Sequence, residues 1–194
     1  MSSKSSTHAS TKATAYFLVI SLSILFIFGF FNRGKLGKIA ETVKNPALVV
    51  ETIPEIKVGT DLLGRAELSY DGGTTGRHKN IELGVERING TILKPGEEFS
   101  FKKELGTTTL EDGWSVEKVF LNGEVTKGIG GGLCQVSTVL FRTVMASALP
   151  VTERANHSFT VARYDSGLDA TYSDPGPDFK FLNDTANPII ITKY

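Results

Sequence analysis

The sequence predicts an α+β fold: an N-terminal transmembrane helix, then one domain in which a cysteine-bearing helix packs on an antiparallel sheet. Three observations predict it. Residues 13–32 contain no charged side chain. A helical apolar stripe (Val136, Val139, Leu140, Val144, Leu149) follows the run Gly130-Gly131-Gly132-Leu133-Cys134, and Pro150 closes it. Beyond that helix the pattern changes to period two, so helices come first and strands follow, instead of the two alternating.

Residues 1–12 are Ser/Thr-rich and are expected to be a disordered tail. The uncharged run from Ala13 to Asn32 is long enough to cross a bilayer as a helix. A small-x-small cleavage site is missing, because Phe28-Gly29-Phe30-Phe31 fills that position, which favours an uncleaved anchor. Lys4 and Lys12 on one side and Arg33, Lys35 and Lys38 on the other leave its orientation unset by charge. Residues 33–60 read as a juxtamembrane linker broken at Asn45-Pro46 and Ile53-Pro54, and the domain as residues 61–194.

Within the domain, Asp71-Gly72-Gly73 is a turn signal. Asn80 to Gly90 reads as a short amphipathic helix, with Ile81, Val85 and Ile88 on one face, Asn80 as cap and Gly90 as stop. Lys94-Pro95-Gly96-Glu97 is a turn and Phe99-Ser100-Phe101 a brief strand. Asn122-Gly123 between Val119 and Val125 marks a hairpin. After the cysteine helix, strands are expected at 157–164 and 168–172, with Phe179-Lys180-Phe181 and Ile189-Ile190-Ile191 as a final pair.

Charges balance at 21 acidic against 21 basic residues, so no nucleic-acid partner is expected. A single cysteine excludes an internal disulfide framework. That cysteine, Cys134, falls in the first turn of its helix, where free N–H groups and the helix dipole favour a thiolate. Gly130, Gly131 and Gly132 lack Cβ atoms and can bring N–H groups to an oxyanion. Downstream come His157 and then Asp169 on successive expected strands. If those strands pair beneath the helix start, Cys134 is the nucleophile, His157 its base and Asp169 the group that orients the imidazole. Papain-like and transglutaminase-like enzymes share this chain order, an analogy only. Zinc on Cys134, His157 and an aspartate is the competing chemistry, weakened by the absence of any close-spaced ligand pair. No metal or cofactor is expected.

The domain resembles the VanW family, named for an accessory protein of vancomycin-resistance clusters. The matching stretches are Arg77-His78-Lys79-Asn80-Ile81, Leu93 to Phe101, Gly106, Asn122-Gly123-Glu124, Gly130 to Leu140, Glu153 to Ser158, Gly167 to Thr171 and Asp178 to Asn183. Trp114 departs from the tyrosine usual in the pattern, and the region before Arg77 is short. No peptidoglycan-binding or G5-type repeat is expected beside it. The resemblance implies a cell-envelope role, with peptidoglycan stem peptides as partners and the C-terminal domain outside the cytoplasm. Some VanW domains are regarded as L,D-transpeptidases that work through a cysteine thioester. Here cysteine precedes histidine, the reverse of the YkuD-type order. Alongside the glycines, Gln135, Ser137, Arg154 and Ser158 are candidates for oxyanion or substrate binding. The expected function is a membrane-anchored cysteine acyltransferase acting on peptidoglycan peptides. The alternative is a non-catalytic envelope-binding or scaffolding domain associated with glycopeptide resistance.

Overall fold

Helix α3 (Leu133–Ala146) carries the apolar stripe through the middle of the domain: Val136, Leu140 and Val144 are completely buried and Val139 is 1 % exposed. The computed structural model describes residues 14–21, 61–121 and 123–193. Beside α3 lies strand β2 (Asp61–Ser69), whose Gly64, Ala66 and Leu68 alternate with the exposed Arg65, Glu67 and Ser69. Gly64 permits the contact. A Cβ there would meet Ser147 Oγ at 2.3 Å and Thr143 O at 2.6 Å, so the helix end sits directly on the strand backbone. β2 pairs antiparallel with β1 (Thr14–Ser21), β1 with β9 (Ile189–Thr192), and β9 with β3 (Ile92–Leu93).

A second sheet has the order β4 (Glu98–Ser100), β8 (Lys180–Leu182), β7 (Val151–Glu153). It sets Phe99 opposite Phe181, with ring centroids 4.9 Å apart. With Phe101 and Phe179 these rings are the largest fully buried side chains and anchor the core. Strands β5 (Val116–Leu121) and β6 (Glu124–Ile129) form a separate hairpin, with Leu121 opposite Glu124 and Gly123 at φ +82°. This is the two-residue connection expected from Asn122-Gly123.

The first helix differs from expectation. Helix α1 runs Thr75–Ile88, with Thr74 as its cap accepting from Arg77 N at 3.1 Å and Asn89 as its C-cap. Asn80 is interior and fully buried. Its amide donates to Ser115 O and Gly131 O, both at 3.0 Å, and accepts from Ser115 N at 2.8 Å. An asparagine at the head of an apolar stripe looks like a cap; tertiary bonds instead fix it as a buried strap. The segment after Ser100 also differs: Ser100 caps a short helix α2 (Phe101–Leu105), so Phe101 is not in the strand.

Three strand assignments are corrected. Residues 157–164 and 168–172 form no strand; the chain from Arg154 to Tyr172 is a loop. Its alternation is real, yet its backbone groups bond to side chains, to local turns and once across the loop, Thr171 N to Ala155 O at 2.8 Å, leaving no ladder. β8 and β9 are not partners, since each joins a different sheet. Consequently the α3 stripe faces β2, β1 and α1, with Phe141 of α3 edge-on to Phe179, while Phe159 and Val161 stay half-buried in the loop.

The transmembrane helix expected at 13–32 is corrected over Thr14–Ser21, which is a strand bonded to β2 and β9. A short apolar run rich in β-branched and aromatic residues has no period that separates a buried strand from a helix. Among the described residues no helix is long and apolar enough to cross a membrane. The expected tail (1–12), the rest of the uncharged run (22–32) and the linker (33–60) lie outside the described residues.

Val144 tests the helix face. Val144→Asp buries an unpaired carboxylate and is expected to cost about 3–5 kcal/mol, enough to unfold a marginal domain. A variant with an unchanged thermal midpoint would show that the stripe faces elsewhere.

Candidate active site

Cys134 is the second residue of α3, after Gly132 as N-cap and Leu133. No side chain caps this end, and the first turn holds no acidic residue. The turn before the helix already takes two of the first amides, Leu133 N donating to Gly130 O at 3.1 Å and Gln135 N to Gly132 O at 2.9 Å, so the helix dipole is what favours an anion here. Cys134 is partly buried. Its Sγ lies 3.4 Å from both the N–H and the carbonyl of Tyr172 and 3.6 Å from Thr171 Oγ1.

The loop from Arg154 to Tyr172 brings His157 and Asp169 to this place. Ser137 and Thr138, one turn into α3, hold the loop. Ser137 Oγ donates to Ala170 O at 2.6 Å, and Thr138 Oγ1 accepts from Ala170 N at 3.1 Å. Arg154 holds the neighbouring stretch. Its Nε donates to Asp169 O at 2.7 Å and Nη2 to Gly167 O at 3.0 Å, while Nη2 stands 3.3 Å from Asp169 Oδ1. Its guanidinium lies over the Phe141 ring, 4.9 Å from the centroid.

Asp169 Oδ2 accepts twice from His157, from the backbone N–H at 2.8 Å and from Nδ1 at 2.6 Å. Burial alone would raise the Asp169 pKa, but these bonds, the imidazole charge and Arg154 hold it below the ordinary value. An ionised carboxylate accepts only, so the Nδ1 proton is assigned and Nε2 is the basic nitrogen. Nε2 is buried and has no partner of ordinary hydrogen-bond geometry. The ring sits between Phe120, edge-on at 5.9 Å, and Tyr164 at 5.6 Å.

Thiol and imidazole act on each other. Burial would raise the Cys134 pKa; the facing His157 imidazole, the Tyr172 and Thr171 contacts and the imidazolium charge outweigh it and lower the pKa. Burial would lower the His157 pKa, and Cys134 and Asp169 together raise it. Both shifts favour thiolate beside imidazolium. Tyr164 shows the same field: burial, then the Cys134 charge, push its pKa up to about 12.

Among the other candidates, Gly130 and Gly131 are buried, and the Gly130 amide already donates to Ser115 O at 3.1 Å. A Cβ on Gly131 would meet Lys118 O at 2.5 Å, so this glycine permits the close approach of β5. Gly132 takes φ +121° at the helix start, a conformation that L side chains rarely adopt. Ser137 is fully buried and spent on Ala170, and Arg154 positions Asp169; these two shape the site from behind. Gln135 is 2 % exposed and bonds Ser69 O, Arg77 and Arg163. Ser158 is exposed. A cavity of about 310 Å³ is lined by His157, Asp169, Arg154, Phe159 and Tyr164, and not by Cys134. Among the described residues no three His, Cys, Asp or Glu side chains group as metal ligands.

Sequence reasoning missed Tyr164, Thr171, Tyr172 and Arg163 as site residues. Arg163-Tyr164 reads as the polar end of a strand, and nothing local marks backbone at Tyr172 as a sulfur partner.

Comparison with known proteins bears out the family resemblance. The family model described as "VanW like protein" matches residues 76–194. An uncharacterized protein of Bacillus subtilis (strain 168), YoaR, is 35% identical over 134 residues, 69% of this chain and 44% of its own length. The vancomycin B-type resistance protein VanW of Enterococcus faecalis (strain ATCC 700802 / V583) is 36% identical over 115 residues, 55% of this chain and 40% of its own. The chain thus spans less than half the length of these curated relatives. No solved structure matches it. With its family match covering the whole segment from α1 to β9, this chain belongs to the VanW-like protein family.

Proposed function

We propose that this chain is a cell-envelope cysteine acyltransferase acting on peptidoglycan stem peptides, of L,D-transpeptidase type. The observation that carries the reading is the buried His157–Asp169 pair, Nδ1 to Oδ2 at 2.6 Å, with Nε2 left unpartnered and the imidazole near enough to Cys134 for each to shift the other's pKa. In the proposed reaction Nε2 takes the Cys134 proton and Sγ attacks a peptide carbonyl. The tetrahedral oxyanion collapses, the C–N bond breaks, and the leaving amine receives the proton from the imidazolium. The thioester then passes its acyl group to an acceptor amine, whose proton returns through His157. Water as acceptor gives hydrolysis by the same path. The related vancomycin B-type resistance protein supports an envelope substrate.

A second reading has its own observation. The thiol is fully satisfied at rest, donating to Tyr172 O and accepting from Tyr172 N at 3.4 Å each. A cysteine so held suits a non-catalytic envelope-binding or scaffolding domain.

Alkylation separates the two. Iodoacetamide labelling of Cys134 should reach half its limiting rate below pH 9.0, the ordinary cysteine value, because the pKa is lowered. The rate rises with pH through that pKa. His157→Ala removes the partner and leaves burial, so its midpoint should move upward. A midpoint at or above the ordinary value in the wild-type chain would favour the scaffold.

With muropeptides read by mass spectrometry, Cys134→Ala and Cys134→Ser should lose product, and His157→Ala should lose about 10²–10⁴-fold in rate. Asp169→Asn should lose less. Full activity in Cys134→Ala would end the proposal.

Substrate of this kind requires the domain outside the cytoplasm, and that placement belongs to the same proposal.

A further inference from the structure

Gln135 follows the nucleophile and is 2 % exposed. Its Nε2 donates to Ser69 O at 2.8 Å, which fixes the direction its amide faces. Its Oε1 receives two guanidinium groups: Arg77 Nη2 at 2.8 Å from helix α1 and Arg163 Nη1 at 3.4 Å from the site loop. Two full positive charges therefore converge on one neutral oxygen, one residue from the thiol. Among the described residues neither arginine is in an ion pair, and Arg77 Nε is buried with no hydrogen-bond partner.

The stem of Arg77 crosses the start of α3. A Cβ on Gly132 would lie 3.4 Å from Arg77 Cγ and 3.3 Å from its carbonyl oxygen, so the N-cap glycine makes room for it. Burial and then repulsion by Arg163 lower the Arg77 pKa, and Tyr164, Cys134 and Glu117 oppose the shift only in part. None of the three is in an ion pair with Arg77. A neutral amide oxygen compensates neither charge, and each guanidinium keeps further N–H groups in its fork.

We propose that Arg77 and Arg163 form a carboxylate-binding subsite next to Cys134, which receives a free carboxylate carried by the peptide substrate close to the carbonyl under attack. The inference rests on the acyl-transfer reading and gives it a substrate requirement. A planar carboxylate can take parallel N–H groups from either fork, and it supplies the negative charge the pair lacks. The subsite would thereby orient the reacting carbonyl over Sγ before attack.

The test uses two alkylating probes on the full chain at neutral pH, iodoacetate and iodoacetamide. Both react with the same thiolate by displacement of iodide, so their rate ratio cancels any change in thiol pKa. Against an unstructured cysteine peptide, Cys134 should favour iodoacetate by about tenfold, the worth of one charge-assisted hydrogen bond. R163Q should reduce that preference, R77Q/R163Q should remove it, and Arg163→Lys should keep part of it. Acetate should protect against labelling at least as well as inorganic phosphate. A ratio equal to that of the free peptide, or unmoved by R163Q, overturns the proposal. Better protection by phosphate overturns the carboxylate assignment. Arg163 is exposed, so the single variant decides the matter even if the double variant does not fold. Slow labelling by both probes, no faster than in the unfolded chain, would instead count against the acyl-transfer reading itself.

Discussion

One carboxylate holds the site together. Asp169 accepts the backbone N–H and the ring N–H of His157 on a single oxygen, and its other oxygen faces Arg154. The backbone bond fixes where residue 157 stands; the ring bond fixes which way the imidazole turns and which nitrogen is basic. Without that carboxylate, the loop from Arg154 to Tyr172 would lose its contact with His157 and the imidazole its orientation. Such a doubly bonded, half-dry carboxylate stays ionised at neutral pH, which makes it a dependable acceptor.

The helix supplies the other half. Ser137 and Thr138 lie one turn beyond the cysteine and grip both polar groups of Ala170. Because Ala170 follows Asp169, this grip sets the distance between the carboxylate and α3. A helix start and an irregular loop thus become one rigid unit through side-chain to backbone bonds. Backbone groups of the loop at His157, Asp169 and Ala170 are bonded by side chains and not by a ladder. Gly131 has a comparable part on the other flank, where the absence of a Cβ lets Lys118 and Glu117 of β5 approach the turn before Cys134.

The candidate site's members were more legible in the sequence than the strands around them. Cys134 at a glycine-led helix start is a local signal, and local signals survive folding. The chain order of Cys134, His157 and Asp169 was also visible. Their convergence does not come from a hairpin, because residues 157–172 do not pair as one. Period two reported which side chains turn inward, and it cannot report whether a neighbouring strand exists. The same limit made β8 and β9 look like partners, although their registers join them to β4 and β7 and to β1 and β3. Asn80 shows a third limit. Its role depends on Ser115 and Gly131, far along the chain, and the asparagine itself carries no sign of them. The two arginines on Gln135 were hidden likewise, each unremarkable within its own segment.

Proton transfer from Cys134 to His157 leaves the net charge of the pair unchanged. The buried site therefore bears the cost of a new dipole, far smaller than that of an isolated ion. Its surroundings are already arranged for that dipole. The imidazolium end faces ionised Asp169, and the thiolate end faces the uncapped N-terminus of α3, the Tyr172 N–H and the Thr171 hydroxyl. Only one resting contact is lost, the bond from the thiol to Tyr172 O. The bond from Tyr172 N survives and strengthens as its acceptor becomes charged. The backbone that satisfies the resting cysteine is thus also placed to steady a thiolate, so the proposed proton transfer requires no rearrangement of the loop.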